Sequence, residues 1–363
     1  MTPAVPFMDL RPGPDGPAVR EAIERVINRG WFILGPELTA FESEFAAAMG
    51  GSHAVGVGTG TDAIALLLRG LGIGPGDEVI TAPVSAAYSA LAIMMVGARP
   101  VFADLDPQRL TLDPRAAEAA ITSRTAAIMP VHLYGQPADM PAFADIAARH
   151  KLALVEDACQ AHAATCAGRP VGSFGVGGAF SFYPTKNLGA LGDGGAIVTN
   201  DADLAARIKR LRNGGQSDRY LHVEFGVNSR LDEMQAAILR ARLPLLPQWT
   251  TARRTLAAQY RANLAGIGIA VPPQCDPGHV YHLFPVLSDH RDEIRAALSQ
   301  HGVETLIHYP VPLPKQPALA ECHPADCPVA NRVASEVFSL PLHPHLSAAS
   351  VDRVCDALRL VTS

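Results

Sequence analysis

Residues 178–200 read GAFSFYPTKNLGALGDGGAIVTN and hold a single lysine, Lys186, between two short apolar runs. The runs predict two strands, and the proline and glycines between them predict a tight turn followed by a glycine-rich loop. After the lysine, the first acidic residue is Asp193. Most lysines lie on the surface because lysine is rarely buried without a partner. A lysine held between two strands instead favours a desolvated amine with a lowered pKa, which is what Schiff-base chemistry requires.

The composition indicates a globular protein with a sizeable interior. The chain has 363 residues, of which 48% are hydrophobic and 18% charged, and this length suits two domains, one of them large. The net charge of −5 gives no reason to expect nucleic acid or an anionic membrane as a partner. The N-terminus lacks the features of a signal peptide, and no run reaches the roughly 20 apolar residues of a membrane span. We therefore expect a cytoplasmic protein.

Cysteine usage points to neither disulfides nor a metal. The six cysteines form no CxxC pair and no regular framework. We expect reduced, mostly packing cysteines and no metal site.

The order of apolar and amphipathic segments predicts an α/β fold. Strand-like runs alternate with helices of about 10–13 residues, and the strands are too apolar to be half-exposed, which favours a mostly parallel sheet covered on both faces. We expect a large α/β domain over residues 1–245 and a small α+β domain over residues 246–363. The predicted strands are 53–57, 78–82, 99–105, 125–132, 152–156 and, in the small domain, 280–287; the small domain also has predicted helices at 289–301, 329–338 and 349–360.

A glycine-rich turn follows the first strand. Gly58, Gly60 and Ala63 match the GxGxxG/A fingerprint of dinucleotide-binding proteins, but the next strand ends in Thr81-Ala82-Pro83 without the acidic residue that holds a ribose. The interpretation as a nicotinamide oxidoreductase is therefore supported by only half of the motif. The turn still suits an anion, most naturally a phosphate, at a helix N-terminus. The alternative is a glycine turn without a ligand.

An acidic residue ends the most apolar strand. Asp157 comes directly after Val155-Glu156, where ligands of open α/β sheets bind. A carboxylate in this place can hold a protonated pyridine nitrogen; as an isolated aspartate it could also cap a turn. Lys186 lies between Thr185 and Asn187 and does not match a P-loop. A phosphate turn, Asp157 and Lys186 together are the parts of a pyridoxal 5′-phosphate (PLP) site.

The chain resembles the DegT/DnrJ/EryC1/StrS aminotransferases, PLP-dependent enzymes that aminate keto-sugars, usually attached to a nucleotide. The resemblance covers nearly the whole chain. It rests on FMDL at 7–10, GxGDEVI at 74–80, VEDxxQ at 155–160, SFYPxKNLG at 181–189, NSRLDEMQAA at 228–237 and HYP at 308–310. It implies the aspartate aminotransferase fold (fold type I), a homodimer with shared active sites, and glutamate as the amino donor.

The resemblance also implies roles for individual residues. Lys186 bonds the cofactor and moves the proton, Asp157 pairs with the pyridine nitrogen and Gln160 lies near the phenolic oxygen. The phosphate contacts come from the backbone of Gly60, Thr61 and Asp62, from Ser181, and from Asn228 of the neighbouring subunit. Ala86 stands where the family usually stacks a ring on the cofactor, a loss worth about 0.5–1.5 kcal/mol. Candidates for binding the substrate, each with a structural role as the alternative, are Tyr183, Arg212, Arg219, His308 and Tyr309.

The loop GALGDGG at 189–195 resembles that of members that aminate C3 of the sugar. We therefore expect transfer of an amino group from glutamate to C3 of a nucleotide-linked 3-keto-(6-deoxy)hexose. The alternatives are a C4 sugar, a cyclitol ketone, a non-catalytic regulator, and a PLP-dependent sugar dehydratase. The dehydratase branch has histidine where this chain has Lys186. The sugar, its dTDP, UDP or GDP carrier and the pathway stay open.

Overall fold

A seven-stranded sheet forms the centre of the larger part of the chain. In the computed structural model, which describes residues 4–320, 322 and 326–362, the strand order of this sheet is β1-β9-β8-β5-β4-β2-β3. The strands are β1 (His53–Val57), β2 (Glu78–Thr81), β3 (Arg99–Phe102), β4 (Thr125–Met129), β5 (Ala153–Asp157), β8 (Gly177–Ser181) and β9 (Gly195–Thr199), with a small hairpin of β6 (Thr165–Cys166) and β7 (Arg169–Pro170) between β5 and β8.

The sheet is mostly parallel, as predicted. Strand β2 pairs in parallel with β3 and β4, and β5 pairs in parallel with β4 and β8. Only β9 runs in the opposite direction, between β1 and β8. The parallel strands therefore end at one edge of the sheet.

Helices cover both faces of the sheet, which explains why its strands are so apolar. On one face, Phe41 and Phe45 pack against Phe180 and Phe182. The helices of this part are α1 (Gly16–Arg29), α2 (Pro36–Ala48), α3 (Gly60–Gly70), α4 (Tyr88–Met95), α5 (Pro114–Ala119), α6 (Met140–His150), α7 (Ala202–Leu211) and α8 (Glu233–Arg242). The α/β fold class is confirmed.

The later part of the chain has its own hydrophobic core. Tyr260 stacks on Phe284 there, and Phe338 and Leu358 are fully buried in the same cluster. Val5 also packs into it. The elements are α9 (Leu246–Asn263), β12 (Phe284–Leu287), α10 (Arg291–Gln300), α11 (Pro328–Glu336), β13 (Val337–Leu340) and α12 (Ala348–Thr362). The division into residues 1–245 and 246–363 stays a prediction.

Two predictions for this part were wrong at their boundaries. The strand predicted over 280–287 begins only at Phe284, because Tyr281 has a left-handed backbone conformation (φ 47°) that interrupts an extended run. The helix predicted over 329–338 ends at Glu336, and Val337 begins strand β13, which pairs antiparallel with β12. A second short hairpin, β10 (Gln216–Asp218) and β11 (Leu221–His222), follows α7.

Among the helices that the structure describes, none combines the length and the apolar character needed to cross a bilayer.

Candidate active site

A cavity of about 860 Å³ opens at the carboxyl edge of the sheet. Segments that follow β1, β2, β5 and β8 line it, together with the N-terminal residues Phe7 and Met8 and the stretch from Glu304 to Tyr309. Most of the predicted site residues line this cavity: Gly60, Thr61, Ala86, Asp157, Gln160, Ser181, Tyr183, Lys186, His308 and Tyr309.

The N-terminus of α3 supplies free backbone donors. The Thr59 side chain caps the helix by accepting a hydrogen bond from the Asp62 N–H at 3.0 Å. The N–H groups of Gly60 and Thr61 precede the first intrahelical bond and have no acceptor in the described part of the chain. Two unpaired N–H groups at a helix N-terminus form a cradle suited to a phosphate.

Asp62 adds no free N–H to that cradle within this chain, and its contact with the phosphate stays a prediction. Its N–H is taken by Thr59, and its carboxylate accepts a hydrogen bond from the Ser229 hydroxyl at 2.7 Å. Asp62 instead ties the start of α3 to the segment before α8.

Asp157 is buried and held by two donors. The Ser89 hydroxyl donates to Oδ2 at 2.6 Å, and the Cys159 N–H donates to Oδ1 at 3.1 Å. Ser85 lies 3.3 Å from the Ser89 hydroxyl. Because both oxygens accept hydrogen bonds, the carboxylate has a fixed direction at the end of β5. Sequence reasoning missed Ser89, although its spacing of four residues from Ser85 at a helix start was visible.

Lys186 is partly buried in the turn after β8, where its N–H bonds the Tyr183 carbonyl. Burial lowers the pKa of its amine, while Cys159 and Asp157 act in the opposite direction. The amine has no ion-pair partner within the described residues. Lys186 therefore has the desolvated environment predicted for a nucleophilic amine.

Gln160 is engaged by protein groups on both ends of its amide. Its Oε1 accepts from the Tyr134 N–H at 2.7 Å, and its Nε2 donates to the Tyr309 hydroxyl at 3.2 Å. Tyr134 in turn donates to the His308 carbonyl. Burial raises the pKa of Tyr309 to about 12 and lowers that of His308 to about 4. Both side chains are neutral near pH 7, so the hydroxyl of Tyr309 keeps its proton.

Three predicted residues lie outside the cavity. Arg212 is buried and its guanidinium bonds Glu42 and the Gly56 carbonyl, so a role in binding substrate stays a prediction. Arg219 is exposed on the β10–β11 hairpin over the ring of Tyr220. The backbone of Asn228 forms an isolated antiparallel β-bridge with that of Asn213. In the described part of a single chain, none of the three lines the cavity.

The lining also contains His282, which no local sequence pattern marked. It reaches the cavity from the segment before β12, in the region where a continuous strand was predicted. Ala86 lines the cavity but has no ring that could stack on a cofactor. Tyr88, two residues later, is 63% exposed.

These residues fit PLP. The N-terminus of α3 suits its phosphate, the fixed carboxylate of Asp157 suits its pyridinium nitrogen, and the desolvated amine of Lys186 suits a Schiff base. Gly60 leaves no spare room there, because a Cβ at this position would lie 2.6 Å from the Ser181 Cβ.

Comparison with known proteins agrees with this fit. Residues 15–359 match the model of the DegT/DnrJ/EryC1/StrS aminotransferase family. The chain is 50% identical to the dTDP-3-amino-3,4,6-trideoxy-alpha-D-glucose transaminase of Streptomyces venezuelae, over 99% of this chain and 96% of that protein.

Solved structures give the same result. This chain has 50% sequence identity with S. venezuelae DesV, solved in complex with a ketimine intermediate. The TM-score is 0.96, over 99% of this chain and 98% of that chain. Bacillus subtilis NtdA with bound cofactor PMP is 32% identical, with a TM-score of 0.94 over 100% of this chain and 86% of that chain. The chain therefore belongs to the DegT/DnrJ/EryC1/StrS aminotransferase family, and it is a PLP-dependent aminotransferase.

Proposed function

We propose that this aminotransferase moves an amino group from glutamate to C3 of a nucleotide-linked 3-keto-(6-deoxy)hexose. The observation that carries the proposal is the meeting of Lys186 and Asp157 in one cavity beside the N-terminus of α3. The position C3 is supported by the relative named for a dTDP-linked 3-amino sugar, at 50% identity over nearly the whole chain. A dTDP carrier is the first to test, and a C4 sugar or a cyclitol ketone is the alternative.

The chain's own residues divide the work. PLP, when bound, supplies an electron sink for the carbon that exchanges the amine. Ser89 and the Cys159 N–H hold the two oxygens of Asp157, so its carboxylate has a fixed direction in which it would meet the pyridine nitrogen. The free N–H groups of Gly60 and Thr61 bind phosphate, and Ser181 lines the same wall. Gln160 donates a hydrogen bond to Tyr309, and the two side chains would lie near the phenolic oxygen of the bound cofactor.

Lys186 acts as the base. Burial lowers the pKa of its amine and so increases the neutral fraction that can take a proton. The loop after it supports the C3 assignment by its resemblance to C3-aminating members. It is also tightly packed, because a Cβ at Gly189 would lie 2.5 Å from the Pro184 carbonyl oxygen.

We propose a homodimer in which each active site takes residues from both chains. Trp31 is 54% exposed, Phe225 is 82% exposed, and Phe32 and Tyr220 are exposed as well. Apolar surface of this extent favours a protein partner. Asn228 and Arg219, which lie outside their own cavity, are then available to the partner's phosphate and substrate. The cytoplasmic location stays a prediction.

The experiment that tests the function is a half-reaction. The enzyme is converted with glutamate to its pyridoxamine form, and 3-keto and 4-keto dTDP-sugars are added separately while the cofactor spectrum is followed. We expect the 3-keto sugar to restore the original spectrum. Restoration by the 4-keto sugar alone would contradict C3, and failure of glutamate to change the spectrum would contradict the donor.

A further inference from the structure

The loop between β8 and β9 is held at its far end by side chains of helix α8. Nη1 of Arg242 donates hydrogen bonds to the Gly189 carbonyl at 2.7 Å and to the Ala190 carbonyl at 3.5 Å. The N–H of Leu191, the next residue, donates to Oε1 of Gln235 at 2.9 Å. Gln235 and Arg242 lie two turns apart on α8 and so share one face of it. Three consecutive loop residues are therefore bound by a single helix face.

The guanidinium of Arg242 is itself fixed by a buried ion pair. Its Nε donates to Oδ2 of Asp15 at 2.8 Å, and the two residues are only 8% and 4% exposed. Oδ1 of Asp15 accepts from the Gly13 N–H at 2.9 Å, so the carboxylate is tied to the turn before α1. Because a guanidinium is planar, a carboxylate on one side also fixes the direction of its other N–H groups. Arg242 therefore connects the start of α1 to the loop.

Lys186 lies in the part of this loop that backbone hydrogen bonds close. The Ala190 N–H donates to the Phe182 carbonyl at 2.8 Å, and between them the Lys186 N–H donates to the Tyr183 carbonyl at 2.8 Å. The Lys186 amine makes no hydrogen bond to any residue that the structure describes. The backbone of the loop therefore sets the position of the amine.

We propose that Arg242 is a positioning residue, which holds the far end of this loop so that the Lys186 amine meets the carbon of the cofactor to which it bonds. The inference rests on the proposed role of Lys186. The near end of the loop is fixed by strand β8, and Asn187 ties its middle to the Val280 carbonyl at 3.1 Å. Loss of Arg242 would therefore displace the end of the loop without unfolding it.

The variant for the test must not leave a buried charge unpaired, because that would destabilise the whole fold. Asp15→Asn combined with Arg242→Met removes both charges and the donor to the loop. Arg240→Met is the matched control. Arg240 lies on the same helix, but its ion pairs are with Glu37 and Glu44 of α2.

The position of the loop is tested without cofactor, by hydrogen exchange followed by mass spectrometry. In the double variant we expect the amides of residues 182–191 to exchange roughly tenfold faster than in the wild type, because the loop end has lost its charged donor. Residues 195–199, in β9, should exchange at the wild-type rate. Unchanged exchange of the loop would overturn the proposal, as would an equal acceleration in Arg240→Met.

The consequence for Lys186 is tested with two forms of the cofactor. PLP bonds to Lys186 under the proposed role, whereas pyridoxamine phosphate makes no such bond. We expect the double variant to bind PLP roughly tenfold more weakly than the wild type and to bind pyridoxamine phosphate equally well. An equal loss for both forms would mark general damage to the site and overturn the proposal, as would an unchanged affinity for PLP.

Borohydride reduction of the PLP-loaded wild type separates this inference from the role of Lys186. Cofactor fixed to another lysine would contradict the role of Lys186 and this inference with it. Cofactor fixed to Lys186, together with wild-type PLP affinity in the double variant, would overturn the role of Arg242 alone.

Discussion

The carboxylate of Asp157 owes its position to a side chain on another element. Ser89, at the start of α4, is buried and donates to Oδ2 at 2.6 Å, whereas the Ser85 hydroxyl lies 3.3 Å from that of Ser89. The serine fixes the direction of the carboxylate, and a hydrogen bond of this kind is among the stronger ones. Ser89 therefore supports the cofactor without touching the lysine.

Replacing Ser89 with alanine should weaken binding of pyridoxamine phosphate roughly tenfold, which corresponds to about 1.4 kcal/mol. The amine form of the cofactor is used because it makes no bond to Lys186. Dissociation constants are measured by fluorescence titration, and Ser85→Ala is the matched control with a smaller expected effect. An unchanged constant for Ser89→Ala would show that Asp157 does not depend on this serine.

Because His162 is buried, we expect the folding stability of the chain to fall in acid. Burial lowers the pKa of His162 to about 3, whereas an unfolded histidine titrates near 6.5. Between these values the unfolded chain binds a proton that the folded chain does not, so stability is lost as the pH falls through this window.

In His162→Leu the part of the acid-induced loss of folding stability that comes from His162 is absent. We expect the stability of the variant relative to the wild type to improve by about 2 kcal/mol between pH 7 and pH 5. Urea unfolding at both pH values measures it, and His301→Leu, at an exposed histidine, should show no such change. An identical pH response in wild type and His162→Leu would contradict the assignment.

At the level of elements, the first turn of α3 must begin with glycine. A Cβ at Gly60 would lie 2.6 Å from the Ser181 Cβ and 3.0 Å from the Cys159 Sγ; Ser181 ends β8 and Cys159 follows β5. The helix start is therefore pressed against two neighbouring strand ends. This contact brings the phosphate cradle next to the strand ends that carry Asp157 and Ser181.

Gly60→Ala should displace the start of α3 and weaken cofactor binding roughly 5- to 150-fold, since overpacking costs about 1–3 kcal/mol. Equilibrium dialysis with pyridoxamine phosphate measures the loss. Gly268→Ala is the control, because nothing lies within 4 Å of a Cβ at Gly268. Wild-type affinity in Gly60→Ala would mean that the cradle does not use this helix start.

The strands of the large sheet, and the edge at which the site residues meet, could be predicted from the sequence. The strands and helices of the C-terminal part were predicted less accurately. Asp157 and Ser181 end neighbouring strands, and parallel strands bring their carboxyl ends to one edge. His282 could not be predicted, because its approach depends on the left-handed turn at Tyr281 and on a partner, Asn187, far away in the chain. The ion pair of Arg212 with Glu42 likewise joins distant segments, so it could not be predicted from the sequence.

At the scale of the whole molecule, shared active sites make a prediction about mixtures. Lys186→Ala and Asn228→Asp should each be impaired, the first by loss of its amine and the second by a negative charge beside the partner's phosphate. In a randomly mixed and reassembled sample, half of the dimers are hybrids, and each hybrid has one intact site.

We expect the mixture to regain about a quarter of the wild-type rate per site. Each variant dissociated and reassembled alone gives the baseline. A mixture that stays at the average of the two variants would contradict shared sites.

The central claim is that Lys186 is the residue that bonds PLP. The chain has four lysines. Lys186 is partly buried, whereas Lys151, Lys209 and Lys315 are exposed. The most direct test is borohydride reduction of the PLP-loaded protein followed by peptide mass spectrometry. We predict one covalent cofactor per chain, on the peptide that contains Lys186. A cofactor fixed to another lysine, or bound cofactor that borohydride does not fix at all, would contradict the account.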